Sequence, residues 1–208
     1  VVIDSERLFA RFWMASAADL GFPMTYEQAL QLRSLRREQG IEKMQSFFGP
    51  AADFDEIRAH RIELMEAHIA QYGVDEKPGI RELLSDLKQA GKRLMVATSK
   101  PQAAAELVMH HFGLDEFVPE IIGGTDDPER NTKGKVIAFC LRKYGVDPKT
   151  AIMVGDREHD ILGAAENGIS AIGITWGYGD RAELETAGAK AVFDTPAETV
   201  QYILRGSL

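Results

Sequence analysis

The chain has little cysteine, a deficit of positive charge and no long apolar run. Its single cysteine, Cys140, cannot form an intrachain disulfide, and its helical spacing with neighbouring apolar residues predicts a core thiol in a reducing compartment. No apolar run approaches the ~20 residues that a membrane-spanning helix needs, so we expect no membrane partner. Charged residues interrupt the first apolar segment, which argues against a signal peptide and for a cytoplasmic protein.

The deficit of positive charge limits the partners that the chain can have. It carries 24 Lys and Arg against 32 Asp and Glu, a net charge of -8, whereas nucleic-acid backbones demand clustered positive charge. We therefore expect no nucleic-acid partner. A length of 208 residues with 45% hydrophobic residues is enough for one core and a small second domain.

The hydrophobic pattern changes once along the chain. Up to about residue 72 only helical signals occur, among them Thr25 with Gln28 and Asp53 with Glu56 at helix starts, and Gly21 at a helix end. From Pro78 onward helices alternate with short β-rich runs, which predicts an α/β fold with a parallel sheet covered on both faces. The predicted strands are residues 94–97, 118–122, 151–154 and 171–175.

Polar residues follow the predicted strands where parallel sheets bind ligands, outside the carboxyl ends. Thr98 and Ser99 follow the first strand, Lys133 ends the long loop after the second, and Asp156 and Asp160 follow the third. A hydroxyl, an ammonium group and two carboxylates facing a cation suit a phosphoryl group, and ligands with only oxygen atoms suggest magnesium.

Each of these residues also has a purely structural interpretation. Thr98 and Ser99 would then only begin the next helix, and Lys133 would be a solvated lysine. Asp156 would cap a helix over residues 158–167, with Asp160 in solvent. The residues alone leave both interpretations open.

The order of these motifs resembles a known family. The run Val-Ala-Thr-Ser ending at Ser99, the helix-opening Lys133 and Val-Gly-Asp-x-x-x-Asp ending at Asp160 are similar to motifs of the haloacid dehalogenase-like hydrolases. Residues 122–133, 153–160 and 174–179 resemble the phosphoglycolate phosphatase and β-phosphoglucomutase-like subgroup. The resemblance implies a Rossmann-like parallel-sheet core over residues 1–6 and 76–208 and a helical-bundle cap domain over residues 7–75.

The resemblance also implies Mg²⁺, an aspartyl-phosphate and the residues that serve them. Asp156 would bind the metal; Thr98, Lys133 and Asp160 would be catalytic; Ser99 would bind substrate together with Arg33 and Arg37 of the cap. The substrate would be a small phosphorylated metabolite, either phosphoglycolate-like or a sugar phosphate. We expect a monomer or weak homodimer.

One family motif does not occur in the sequence. The Asp-x-Asp-Gly motif, which carries the nucleophile and the general acid/base, is expected before Val1, at the end of a central strand. Asp4 matches a hinge position of the family and not the nucleophile. Two alternatives to a phosphatase remain: a β-phosphoglucomutase-like phosphotransferase, which shares the same motifs, and a non-catalytic phospho-ligand-binding protein.

Overall fold

The computed structural model describes residues 1–4, 6–32, 35, 37–72 and 75–206. The chain divides into two compact units. We call Asp4–Asp75 the helical unit, and Val1–Ile3 with Glu76–Leu208 the α/β unit. Among the helices of the described ranges, none is long and apolar enough to cross a membrane.

The helical unit consists of helices whose starts follow the capping signals in the sequence. These are α1 (Glu6–Asp19), α2 (Tyr26–Leu30), α3 (Arg37–Phe48) and α4 (Phe54–Tyr72). Thr25 Oγ1 accepts the N–H of Gln28 at 3.2 Å and Gln28 Oε1 accepts the N–H of Thr25 at 2.8 Å, so the predicted capping box is confirmed. Asp53 Oδ1 accepts the N–H of Glu56 at 3.2 Å before α4. The predicted stop at Gly73 lies outside the described residues.

The core of the helical unit forms where the apolar faces of its helices meet. Trp13 of α1 stacks on Phe54 of α4 with ring centroids 5.5 Å apart. The buried Ser16 hydroxyl donates to the carbonyl of Ile57 at 2.6 Å, which joins α1 to α4 without leaving that hydroxyl unsatisfied.

The α/β unit alternates strands and helices. Its elements are α5 (Ile80–Gln89), β3 (Met95–Pro101), α6 (Gln102–His111), β4 (Glu120–Gly124), α7 (Lys133–Tyr144), a 3₁₀ turn (Pro148–Thr150), β5 (Ile152–Gly155), α8 (Glu158–Glu166), β6 (Ser170–Ile174), α9 (Arg181–Thr186), β7 (Val192–Phe193) and α10 (Pro196–Leu204). Strands β3 and β4 pair in parallel, as do β5, β6 and β7 in that order, which confirms the predicted α/β fold. Strands β1 (Ile3–Asp4) and β2 (Asp75–Glu76) pair with each other. Cys140 of α7 is buried, as predicted.

Two strands extend beyond their predicted ends. Strand β4 begins after Pro119, which has no N–H to donate, and continues to Gly124. Strand β3 continues to Pro101, which pairs with Gly124 after a shift in register. A Cβ on Gly124 would lie only 2.8 Å from the carbonyl oxygen of Ser99, so glycine lets β4 approach this segment.

The carboxyl-terminal elements α9, β7 and α10 were not predicted. Strand β7 has only two residues, too few for a periodic signal. Helix α10 does carry a readable start: Thr195 and Glu198 form a capping box around Pro196.

Strands β3 and β5 belong to different sheets. Within the described ranges no strand pairs with both of them. Val2, Val96 of β3 and Val154 of β5 nevertheless pack against one buried cluster. Backbone donors and acceptors at the edge of a buried strand are costly to leave unsatisfied, so a further strand beside β3 or β5 would be stabilising.

Candidate active site

Lys133 connects three elements at the carboxyl ends of the strands. It is the first residue of α7, whose start is capped by the side chain of Thr132. Its ammonium group donates to the carbonyl of Ala97 in β3 at 2.8 Å and forms an ion pair with Asp160 Oδ1 of α8 at 2.7 Å. The side chains of Lys133 and Asp160 are only 11% and 7% exposed, so the interpretation of Lys133 as a solvated lysine is wrong.

Asp160 uses its second oxygen to hold the turn that precedes α8. Asp160 Oδ2 accepts the N–H of Asp156 at 3.0 Å and the N–H of Arg157 at 3.2 Å. Burial, the largest single influence on the pKa of Asp160, raises it, but the charge and hydrogen bond of Lys133 outweigh burial and hold this pKa below its ordinary value. Asp160 is therefore an ionised partner of Lys133 and not a carboxylate in solvent.

Asp156 lies in the turn between β5 and α8. The two aspartates do not share a helical face, because α8 begins only at Glu158. Asp156 Oδ2 accepts the N–H of Tyr178 at 3.0 Å, and its main-chain carbonyl accepts the N–H of Gly179 at 2.8 Å. Its Oδ1 lies 3.3 Å from the nitrogen of Val1. Asp156 does not cap α8; it anchors a loop that follows β6.

Three glycines make room for these carboxylates. A Cβ on Gly155 would lie 2.2 Å from the Cβ of Asp160. A Cβ on Gly177 would lie 2.1 Å from the Cβ of Asp156, and one on Gly179 would lie 2.2 Å from the Asp156 carbonyl oxygen. No role at the site was predicted for these glycines, and residues 174–179 were noted only for their resemblance to the family.

Thr98 and Ser99 follow directly on the carbonyl that holds Lys133. Thr98 Oγ1 accepts the N–H of Lys100 at 3.2 Å, which fixes this hydroxyl in a local turn. Thr98 is half-buried and Ser99 is exposed. Both are part of the irregular end of β3 and do not begin α6, which starts at Gln102.

Gln102 and Arg130 fix the segment after Thr98 to the neighbouring strand. Gln102 Oε1 accepts the N–H of Gly123 at 2.7 Å and Arg130 Nη1 at 3.2 Å, and its Nε2 donates to the carbonyl of Ile121 at 3.0 Å. The Arg130 guanidinium lies 4.8 Å from the centroid of the Phe139 ring. Arg130 thus ties the loop after β4 to the start of α6.

The structure describes one of the two arginines that were predicted to bind substrate. Arg33 lies outside the described residues. Arg37 donates from Nε to Asp55 Oδ1 at 2.9 Å and from Nη2 to Asp55 Oδ2. The Arg37 and Asp55 side chains are 48% and 43% exposed, so this is a surface ion pair within the helical unit.

The described side chains supply few metal ligands. No group of three or more His, Cys, Asp or Glu side chains among them is placed to hold a metal ion. Asp156 offers a single carboxylate, which fits Mg²⁺ because this ion keeps several waters and binds through one or two carboxylates. The donor chemistry is therefore compatible with magnesium.

Comparison with known proteins identifies the family. Residues 1–174 match the model of the haloacid dehalogenase-like hydrolases, and the chain belongs to this family, as the motifs predicted. A crystal structure of a predicted phosphatase from Clostridium acetobutylicum is similar with a TM-score of 0.78 and 26% identity, covering 98% of this chain and 94% of that one.

Curated relatives have several names. The tyrosine-protein kinase PtkA of Mycobacterium tuberculosis is 44% identical over 101 residues, which are 49% of this chain but only 35% of that protein. A 5'-nucleotidase of Pseudomonas aeruginosa is 34% identical over 159 residues, covering 71% of this chain and 72% of the relative. A phosphoglycolate phosphatase of Vibrio vulnificus is 29% identical over 153 residues, covering 72% and 67%.

Proposed function

We propose that the protein is a magnesium-dependent phosphatase that hydrolyses a small phosphomonoester through an aspartyl-phosphate. The observation that carries this proposal is the buried Lys133–Asp160 pair, which lies beside Asp156 at the carboxyl ends of β3 and β5. Family membership and relatives named phosphoglycolate phosphatase and 5'-nucleotidase support the same chemistry. The substrate is then phosphoglycolate-like or a sugar phosphate.

Each residue of this cluster has a distinct part in the proposal. An ammonium group has three N–H bonds, and Lys133 uses two of them on Ala97 and Asp160, so one is available to a phosphoryl oxygen. Thr98 donates its hydroxyl to a second oxygen, helped by the backbone N–H of Ser99. Asp156 would hold Mg²⁺, which would reduce the repulsion between the phosphoryl group and an attacking carboxylate.

The nucleophile in this proposal stands before Val1 in the full-length protein. Within the described ranges β3 and β5 share no pairing strand, and Val2 packs in the cluster that both strands share. The nitrogen of Val1 lies beside Asp156 Oδ1, so residues joined to it approach the proposed metal site. A strand there, ending in Asp-x-Asp-Gly, would supply both the missing pairing and the missing nucleophile.

We expect the first aspartate of that motif to be indispensable. In the full-length protein its replacement by asparagine should abolish release of inorganic phosphate from p-nitrophenyl phosphate, because a neutral amide cannot form the acyl-phosphate. The measurement is phosphate release with Mg²⁺, and beryllium fluoride should bind only to the unsubstituted protein, because it forms its adduct with a carboxylate. A gene product without this motif would instead support the non-catalytic binder. Phosphate transfer to a second sugar phosphate without hydrolysis would support the phosphotransferase.

Arg37 is proposed to recognise the substrate's distal anionic group. The alternative is that the Arg37–Asp55 pair is only a surface contact, worth ~0–1 kcal/mol. We expect Arg37→Ala to lower kcat/KM for phosphoglycolate by about tenfold or more and to spare p-nitrophenyl phosphate, which has no distal anion. Asp55→Asn, which removes the carboxylate that competes for Arg37, should not lower kcat/KM for phosphoglycolate. Equal small losses on both substrates would favour the surface contact.

A further inference from the structure

Helices α7 and α8 cross at a pair of glycines next to the Lys133–Asp160 pair. A Cβ on Gly163 of α8 would lie 2.9 Å from the nitrogen of Gly134 and 3.0 Å from Cγ of Lys133. A Cβ on Gly134 of α7 would meet something different, since its nearest neighbour is Oε2 of Glu166 at 1.8 Å. The end of a glutamate side chain can move, whereas a helix backbone cannot.

Asn167 fastens this crossing. It follows the last residue of α8, and its Nδ2 donates to the carbonyl of Gly163 at 2.8 Å and to the carbonyl of Gly134 at 2.9 Å. One side-chain amide thus bonds to both helices, at the two residues where they are in closest contact. Asn167 is half-buried, so these bonds are partly shielded from water.

The crossing controls where the lysine side chain begins. Lys133 precedes Gly134 directly, and Asp160 stands one helical turn before Gly163. The distance between α7 and α8 at the glycines therefore sets how far the Lys133 side chain must extend to reach Asp160. In the structure its ammonium group lies 2.7 Å from Asp160 Oδ1 and 2.8 Å from the Ala97 carbonyl. Moving α7 away from α8 would move the start of the lysine side chain away from Asp160.

We propose that Gly163 and Asn167 are positioning residues that hold the Lys133 ammonium group in its reactive place. This inference rests on the proposed phosphatase function of the same site. Neither residue touches the phosphoryl group; both act through the separation of the two helices. Displacing a catalytic group by about 1 Å can cost about 100-fold in rate, so a small change at this crossing has a large effect.

The chain offers a matched pair of substitutions to test this. In the full-length protein, Gly163→Ala should lower kcat on p-nitrophenyl phosphate by about 100-fold, because its methyl group collides with the α7 backbone and the Lys133 stem. Gly134→Ala, which adds the same methyl group to the other helix, should retain most of the activity because only the Glu166 carboxylate has to move. Both changes favour helix formation, so propensity does not explain a difference between them.

A second readout follows the lysine itself and needs neither metal nor substrate. The Lys133 ammonium signal in a ¹⁵N NMR spectrum, assigned by its loss in Lys133→Met, should shift or broaden in Gly163→Ala and stay in place in Gly134→Ala. Asn167→Ala should change this signal in the same direction. Thr199→Val, which removes a buried hydroxyl bond in α10, controls for destabilisation alone and should leave the signal unchanged.

Failure of the positioning role can be distinguished from failure of the proposed phosphatase function. An unshifted Lys133 signal in Gly163→Ala, or an equal loss of kcat in both alanine variants, would overturn the positioning role. If Gly163→Ala does not fold, the Lys133 signal in Asn167→Ala decides the question. A full-length protein that hydrolyses no phosphomonoester would overturn the proposed function, and the NMR comparison would still decide the role of the crossing.

Discussion

Replacing Lys133 with methionine is expected to abolish phosphatase activity and to lower the free energy of unfolding by about 3–5 kcal/mol. Methionine keeps the volume of the stem but removes the charge, which leaves the Asp160 carboxylate buried without its cation. The Ala97 carbonyl also loses its donor. Activity falls because no other described side chain donates both to the end of β3 and to Asp160.

The activity is measured as Mg²⁺-dependent phosphate release, and the stability by urea denaturation. Lys135→Met is the matched control, since Lys135 is exposed on the same helix and its ammonium group donates to Asn131 Oδ1 at 3.1 Å. The double variant Lys133→Met with Asp160→Asn should recover much of the stability and none of the activity. Wild-type stability in Lys133→Met would show that the buried pair contributes nothing to folding.

The pH dependence of this stability difference has a definite sign. The pKa of Asp160 is lowered in the folded protein, so its ionised form stabilises the fold above the unfolded value of about 3.9. That contribution is lost as the pH falls through the lower, folded pKa. Without Lys133, burial raises the pKa of Asp160 in the variant, so the carboxyl is protonated there at a higher pH than in the wild type. The deficit of Lys133→Met should therefore be largest at neutral pH and shrink as the pH falls, as urea midpoints at several pH values would reveal.

Local patterns predicted the residues that begin elements. Lys133 follows a long polar loop and opens an amphipathic helix, and Thr25 with Gln28 forms a capping box, so both were placed correctly. Such signals need only neighbours within one helical turn. The motif order then led to the family because Thr98, Lys133 and Asp160 each belong to the segment that ends or follows a strand.

Contacts between distant residues could not be predicted in this way. Tyr178 donates its N–H to Asp156 from 22 positions away, and Gly177 and Gly179 are small because Asp156 packs on them. Asn167 bonds to Gly134 across 33 positions. Periodicity reports which face of an element is buried and not which backbone it touches. Side chains that act through a packed neighbour therefore leave no pattern in one sequence.

Replacing Asp156 with asparagine should abolish Mg²⁺-dependent hydrolysis and leave the fold intact. The amide can keep its oxygen where Oδ2 accepts the N–H of Tyr178 at 3.0 Å, so the loop after β6 stays anchored. Its NH₂ group then takes the position of Oδ1, and nitrogen that carries hydrogen cannot bind a cation. The substitution thus separates the two oxygens of one carboxylate: it removes the proposed metal ligand, together with the Oδ1 contact to the nitrogen of Val1, while it preserves the bond from Tyr178.

Calorimetric titration of Mg²⁺ and phosphate release at rising Mg²⁺ concentration would test this directly. Asp147→Asn is a fitting control, because Asp147 accepts the N–H of Lys149 at 3.0 Å in an exposed turn and has no proposed ligand. Asp160→Asn should cost less, about 10–100-fold, since Asp160 orients Lys133 and the Asp156 turn without binding the metal itself. Near-normal activity of Asp156→Asn would mean that the cation is held elsewhere. Lost activity with a lowered melting temperature would mean that Asp156 serves the loop after β6 more than the metal.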